Sequence, residues 1–130
     1  MILAIKTSDD AACLQLYPAK GGAPLAEDAW TSGRALADQL LARIARFTEP
    51  HGGEAALSGI IVFSGPGSFT SLRIGHTVAN ALADSLGLPV VGAMGEDWPQ
   101  AAIKSLADTP PGRPALPHYG AEANITKPKT

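Results

Sequence analysis

The stretch FSGPGSFTSLRIG, Phe63 to Gly75, joins a strand-like run to a helical one. Before it, Gly59-Ile60-Ile61-Val62-Phe63 is apolar without alternation, the pattern of a strand buried on both faces. After it, apolar residues recur at helical spacing to Leu86, with Gly87 as the stop and Ser68 or Thr70 as N-cap. Leu88 to Val91 then reads as the next strand. A strand, a turn, a helix and a strand make a right-handed crossover, which places the chain in the α/β class with parallel pairing in this half.

The loop itself admits two readings. Consecutive N–H groups from Gly65 to Phe69, aimed along a helix axis, suit an anion, so Gly65, Gly67, Ser68 and Thr70 are candidate phosphate contacts. Yet no lysine-serine pair follows as in a P-loop, and there is no G-x-G-x-x-G with a ribose-binding acid. The competing reading is a tight turn in which Gly67 supplies a positive φ and Gly75 lets the helix approach the sheet closely.

Toward the N-terminus, Ile2 to Ile5 is a buried strand and Ala11 to Tyr17 alternates, so the two form a hairpin across Thr7-Ser8-Asp9-Asp10. Leu25 to Trp30 is a third, edge strand, and a first helix starts near Thr31 or Ser32 and runs to Phe47. Trp98 to Leu106 is a short helix. The expected architecture is a mixed five-stranded sheet with two main helices, the ribonuclease H-like order that also forms half of the actin-like ATPase fold. A flavodoxin-like order is the alternative. Residues 1–109 make the folded domain, and the proline-rich residues 110–130 make an extended tail.

The 130 residues are 45% apolar and 17% charged, which excludes a disordered chain. Ten basic against 12 acidic residues give a net charge of −2, no footprint for gripping a polyanion unaided. Cys13 is a lone cysteine in an alternating run, expected to be a small buried hydrophobe. Neither a signal peptide nor an apolar run of membrane-spanning length is present, so the expected setting is the cytoplasm.

Both main helices are too apolar for one neighbour. On the first, Leu36, Leu40, Ile44, Ala37, Leu41 and Ala45 share an arc of about 180°, and on the second Leu72, Gly75, Ala79, Leu82, Ala83, Ile74 and Val78 span roughly 200°. An apolar stripe of about 100° suffices for a helix on one sheet face. The surplus is expected to meet the other helix and the tail, or another polypeptide. The partner surface is then Leu36, Leu40, Ile44, Leu72, Arg73, Gly75, His76, Ala79, Leu82 and Ala83, with Gly75 and Ala79 forming a groove. His76 is expected on the narrow polar strip, exposed or at that interface.

Catalytic equipment is thin. Ribonuclease H-like nucleases and actin-like phosphotransferases need a carboxylate near the end of the first strand, and Lys6 stands there, a cation that cannot ligate magnesium. Asp9 and Asp10 follow as turn residues, while His51 and His118 are each alone. No metal site or triad is expected.

The sequence GPGSFTSLRIG, with GIIVFS before it and HTVANALADSLGLPVVG after it, resembles the TsaB (YeaZ) family, whose signature is close to G-P-G-S-F-T-G-L-R-I-G. MILAIKTS and RALADQLLARI resemble that family's opening strand and first helix. Ser71 replaces the usual glycine and Lys6 the usual aspartate, and the chain is shorter than a typical member, with LPHYGAEANITKPKT where a second lobe is expected. The resemblance implies a non-catalytic subunit that pairs through its two helices with a TsaD-like protein. That protein makes threonylcarbamoyladenosine (t6A) in tRNA, with a TsaE-like ATPase joining the complex and TsaC supplying the threonylcarbamoyl-adenylate. It also implies a homodimer when alone, tRNA contacts only through the complex, and ATP and metal on the partners rather than here. The metal-binding histidines of TsaD have no counterpart in GAMGEDWPQAA. The alternative is an autonomous small ATP- or phosphate-binding domain of the actin-like class.

Overall fold

In the computed structural model, residues 1–8, 11–32 and 35–116 are described. The strands are β1 (Ile2–Ser8), β2 (Ala11–Tyr17), β3 (Ala26–Thr31), β4 (Gly59–Phe63) and β5 (Val90–Ala93). The helices are α1 (Leu36–Thr48), α2 (Phe69–Leu86) and α3 (Trp98–Leu106). The sheet order is β3-β2-β1-β4-β5. β1 runs antiparallel to β2 and β2 to β3, whereas β4 pairs parallel with β1 and β5. This is the mixed sheet of the expected ribonuclease H-like, actin-like half-fold.

Alternation along β1 decides the layering. Leu3, Ile5 and Thr7 point to one face, where they meet Leu36, Leu40 and Ile44 of α1 and Ala79 and Leu82 of α2. Ile2 and Ala4 point to the other, where Trp98, Ala102, Ile103 and Leu106 of α3 pack on Ile61 and Phe63. The third helix is therefore a full layer of the domain, and three helices rather than two carry the fold. β4 is buried along its whole length because it lies between both layers.

Two boundaries and one backbone angle stand out against expectation. α1 begins at Leu36 because Thr31 stays in β3, paired with Ala11, and the start has no side-chain cap at Ala35. β5 begins at Val90 because the Leu88 N–H closes the end of α2 on the Ala83 carbonyl at 2.8 Å, beside Gly87 at φ 69°. In the loop, the positive φ falls on Gly65 (125°) and not on Gly67, and the Gly65–Pro66 peptide is cis.

Side chains tie the layers at their margins. Arg43 of α1 stacks 4.2 Å over the Trp30 ring and bridges to Asp28 at 3.2 Å, holding α1 to the edge strand β3. At the other flank, Asn80 of α2 forks onto one residue of the tail: its Nδ2 donates to the Ala115 carbonyl at 2.9 Å, and its Oδ1 accepts from the Ala115 N–H at 2.8 Å. Ala115 is buried against the α1–α2 core. The rest of the expected tail, Pro117 to Thr130, lies outside the described residues.

α2 approaches the sheet closely at Gly75, where an added Cβ would run into the Thr7 side chain of β1. An alanine in a helix is ordinarily worth about 1 kcal/mol over glycine. Here the Thr7 hydroxyl is fixed by donating to the Ser71 carbonyl at 2.7 Å and cannot swing aside. Gly75→Ala is expected to destabilise by about 1–3 kcal/mol in urea unfolding, a reversed sign that Thr7→Ala in the same chain should partly correct.

Candidate functional site

The glycine loop is stitched to its surroundings by main-chain bonds. The Ser64 N–H donates to Ala93 at 2.9 Å and the Gly95 N–H to Gly65 at 3.1 Å. Ser68 caps α2, its hydroxyl accepting from the Ser71 N–H at 3.2 Å. Gly67 stays close to β1, since a Cβ there would lie 3.3 Å from the Ser8 hydroxyl. Among the described residues, the two cations flanking the candidate anion contacts Gly65, Gly67, Ser68 and Thr70 rest on aromatic rings. Arg73 lies 6.0 Å over the Phe69 ring and Lys6 lies 4.7 Å over Phe63.

Beneath the loop runs a buried polar seam. His76 Nδ1 is 2.8 Å from the Leu72 carbonyl, which only accepts, so Nδ1 carries the proton. Nε2 is then the acceptor for the Ser64 hydroxyl at 3.0 Å. Room for the pair comes from β5, where a Cβ at Gly92 would strike the Ser64 hydroxyl. His76 is only 3% exposed and Ser64 4%, so this serine–histidine contact is sealed from any substrate. The expectation of an exposed His76 is corrected: on α2 it sits at the margin of the core arc, and a glycine on the facing strand draws it inside. Burial pushes its pKa down, partly opposed by the Leu72 carbonyl.

Near the end of β1, Lys6 is exposed. Cys13 is half-buried rather than buried, and its Sγ lies 3.4 Å from the Glu27 carboxylate. Burial first and Glu27 second push its thiol up to about 12, so it is no nucleophile. Asp9, Asp10 and His118 lie outside the described residues. His51 is exposed, 6.5 Å from the Phe47 ring. Among the described residues no group of three His, Cys, Asp or Glu side chains is placed to hold a metal, and no helix is long and apolar enough to cross a membrane.

The helix surface needs redrawing. Of the residues expected to face a partner, Leu36, Leu40, Ile44, Leu72, Gly75, His76, Ala79, Leu82 and Ala83 are all buried within the chain, and only Arg73 is exposed. Gly75 and Ala79 line the sheet and not an outer groove. The sheet and the two helices consume the centre of each apolar arc, which leaves the arc margins outside. There, Ala37 of α1 and Phe69, Ile74 and Val78 of α2 line a groove of about 440 Å³ rimmed by Thr70, Arg73 and Thr77. Phe69 is 52% exposed and Leu41, on α1, 51%. Leu41, Ile74 and Val78 carried a signal in the sequence as members of the over-wide arcs. Phe69 carried none beyond being a large apolar residue at a helix start.

This fold matches solved structures of YeaZ. Two are similar to it, YeaZ from Pseudomonas aeruginosa and an uncharacterized protein with similarity to peptidase YEAZ from Pseudomonas aeruginosa. Each is 29% identical with a TM-score of 0.62 over 72% of this chain. The chain is YeaZ-like. It spans only 43% and 42% of those two chains. Residues 32–94, the block from α1 through β5, match the family model of TsaD, the tRNA N6-adenosine threonylcarbamoyltransferase. No curated protein matches the chain significantly. In this YeaZ-like fold the signature loop and α2 form one continuous unit, which explains why the resemblance was legible from that stretch.

The seam predicts a pH dependence of stability. His76 is held neutral in the fold, whereas in the unfolded chain it titrates near 6.5. As pH falls below that value the unfolded chain takes up the proton first, so stability drops through the interval down to the lowered folded pKa and is fully present above 6.5. Urea unfolding of wild type and His76→Leu from pH 7.5 to 5 should show a steeper loss for wild type. Parallel curves would remove His76 from this role.

Proposed function

We propose that the chain is a non-catalytic subunit in t6A formation, working by docking the outer α1–α2 groove against a TsaD-like subunit. The observation that carries this reading is the apolar groove between Ala37 and Val78, with Phe69 and Leu41 half exposed beside it. Contiguous apolar surface of this kind on a small domain marks an interaction site. The proposed occupant is a like pair of helices. Since residues 32–94 resemble TsaD itself, a TsaD-like partner carries the same α1–β4–α2 block and can present a similar face, so the two pair about an approximate two-fold axis.

The same self-complementary face is proposed to join two copies of this chain when the partner is missing. ATP, metal and the TsaE-like ATPase belong, in this reading, to the rest of the complex, and tRNA is met only through it. Lys6 in place of a β1 carboxylate and the sealed Ser64–His76 contact support a chain without chemistry of its own. The setting is proposed to be the cytoplasm, where the tRNA is modified.

Surface substitutions test this without disturbing the core. Ala79→Arg is unsuitable, since Ala79 is fully buried and the change would unfold the chain. Phe69→Glu, at the exposed start of α2, is expected to leave the unfolding midpoint nearly unchanged. It should lower co-purification with the TsaD-like protein of the same genome by about tenfold or more, as loss of one aromatic anchor costs about 2 kcal/mol. Undiminished co-purification would overturn the docking face. Calorimetry of the isolated chain with ATP and magnesium should give no saturable heat; tight binding would favour an autonomous ATP-binding domain instead.

A further inference from the structure

On the α3 side the sheet is covered only in part. α3 lies over β1, β4 and β5, and beyond Trp98 the rows Ser8–Ala11–Thr31 and Lys6–Cys13–Ala29 stay open, with Gln15 and Glu27 of the next row, whose β1 member Ala4 is buried under α3. The middle of this surface is small, Ala11, Cys13 and Ala29, while longer side chains stand around it. The result is a pocket of about 680 Å³, within the range of small-molecule sites. One wall is rigid, since Trp98 and Tyr17 are each only 4% exposed. The floor is shielded enough from water that desolvation is the largest cause holding the Cys13 thiol protonated.

The pocket carries both signs of charge, and they do not neutralise each other. Among the described residues, Lys6 and Glu27 form no ion pair. The Lys6 ammonium rests 4.7 Å over the Phe63 ring, and the Glu27 carboxylate accepts from the Cys13 thiol at 3.4 Å. Both are weak contacts, a cation–π contact at an exposed site and a poor sulfur donor, which a full counter-charge outcompetes. Between them, Gln15 uses its Oε1 to accept from Tyr17 at 2.9 Å, a bond that does not use its amide nitrogen.

We propose that this pocket binds a small zwitterion, a free amino acid or a dipeptide, with its carboxylate at Lys6, its ammonium at Glu27 and its body over Cys13. The charges stand on β1 and β3, two strand spacings of about 4.8 Å apart and offset by two residues along the strands, so the longer dipeptide is the better fit. The site lies on the opposite sheet face from the α1–α2 groove, and it stands or falls independently of the docking proposal.

The test is a two-dimensional NMR titration of the isotopically labelled full chain. Probes are glycylglycine, L-alanine, the anion-only N-acetylglycine and the cation-only glycinamide, each at millimolar concentration. Saturable shifts of the Cys13 and Ala29 amides with glycylglycine are expected, weaker ones with L-alanine, and about tenfold weaker binding for either singly charged probe. Lys6→Met and Glu27→Gln should each weaken glycylglycine by a similar factor while keeping the wild-type spectrum elsewhere. No saturable shift, or equal binding of N-acetylglycine and glycylglycine, would overturn the proposal.

Discussion

The packing of α2 on the sheet rests on one missing side chain. At Gly75 the helix comes down on Thr7, and the threonine hydroxyl that would otherwise be orphaned under a helix is bonded to the Ser71 carbonyl. That approach brings His76 within reach of Ser64 and leaves Ile74 and Val78 at the shoulder beside α1. Had a β-carbon stood there, α2 would ride higher, the seam would open, and α1 would lose the helix it leans on. Sequence acts here through backbone distance before it acts through any side-chain chemistry.

A consequence for function is that the inside and the outside of α2 are specified by adjacent residues. Leu72, Ala79 and Leu82 are committed to the core, while Phe69, Arg73 and Val78 belong to the groove. Substitutions on the groove side of α2 can therefore be made without touching its foundation. The end of β1 is tied to its neighbours in the same local way, with Lys6 over the Phe63 ring and the glycine loop bonded to β5 and the β5–α3 connection.

The order of elements was legible in the sequence because each signal was local: continuous apolarity for β4, alternation for β2, Ser68 and Gly87 bracketing α2. The start of α1 was misjudged because Thr31 is both a good cap and a good strand residue, and pairing with Ala11 across the sheet decided between them. For the site, helical periodicity identified which arcs were apolar, but burial within an arc depends on where the sheet and neighbouring helix touch it. That is tertiary information. It turned Leu36 and Ala79 inward, left Leu41 half exposed, and drew His76 into the interior through a glycine on a different element.

The amide of Asn80 holds Ala115 by its N–H and carbonyl alone, taking the place a neighbouring strand would occupy. Such a grip is blind to identity beyond a demand for small size at the position enclosed. Residues on either side of it are free to drift over generations, and the segment leading up to it can lengthen or shorten, while the anchored residue keeps its address on the helix. The fold thereby possesses a mooring that tolerates rapid divergence of whatever is tied to it.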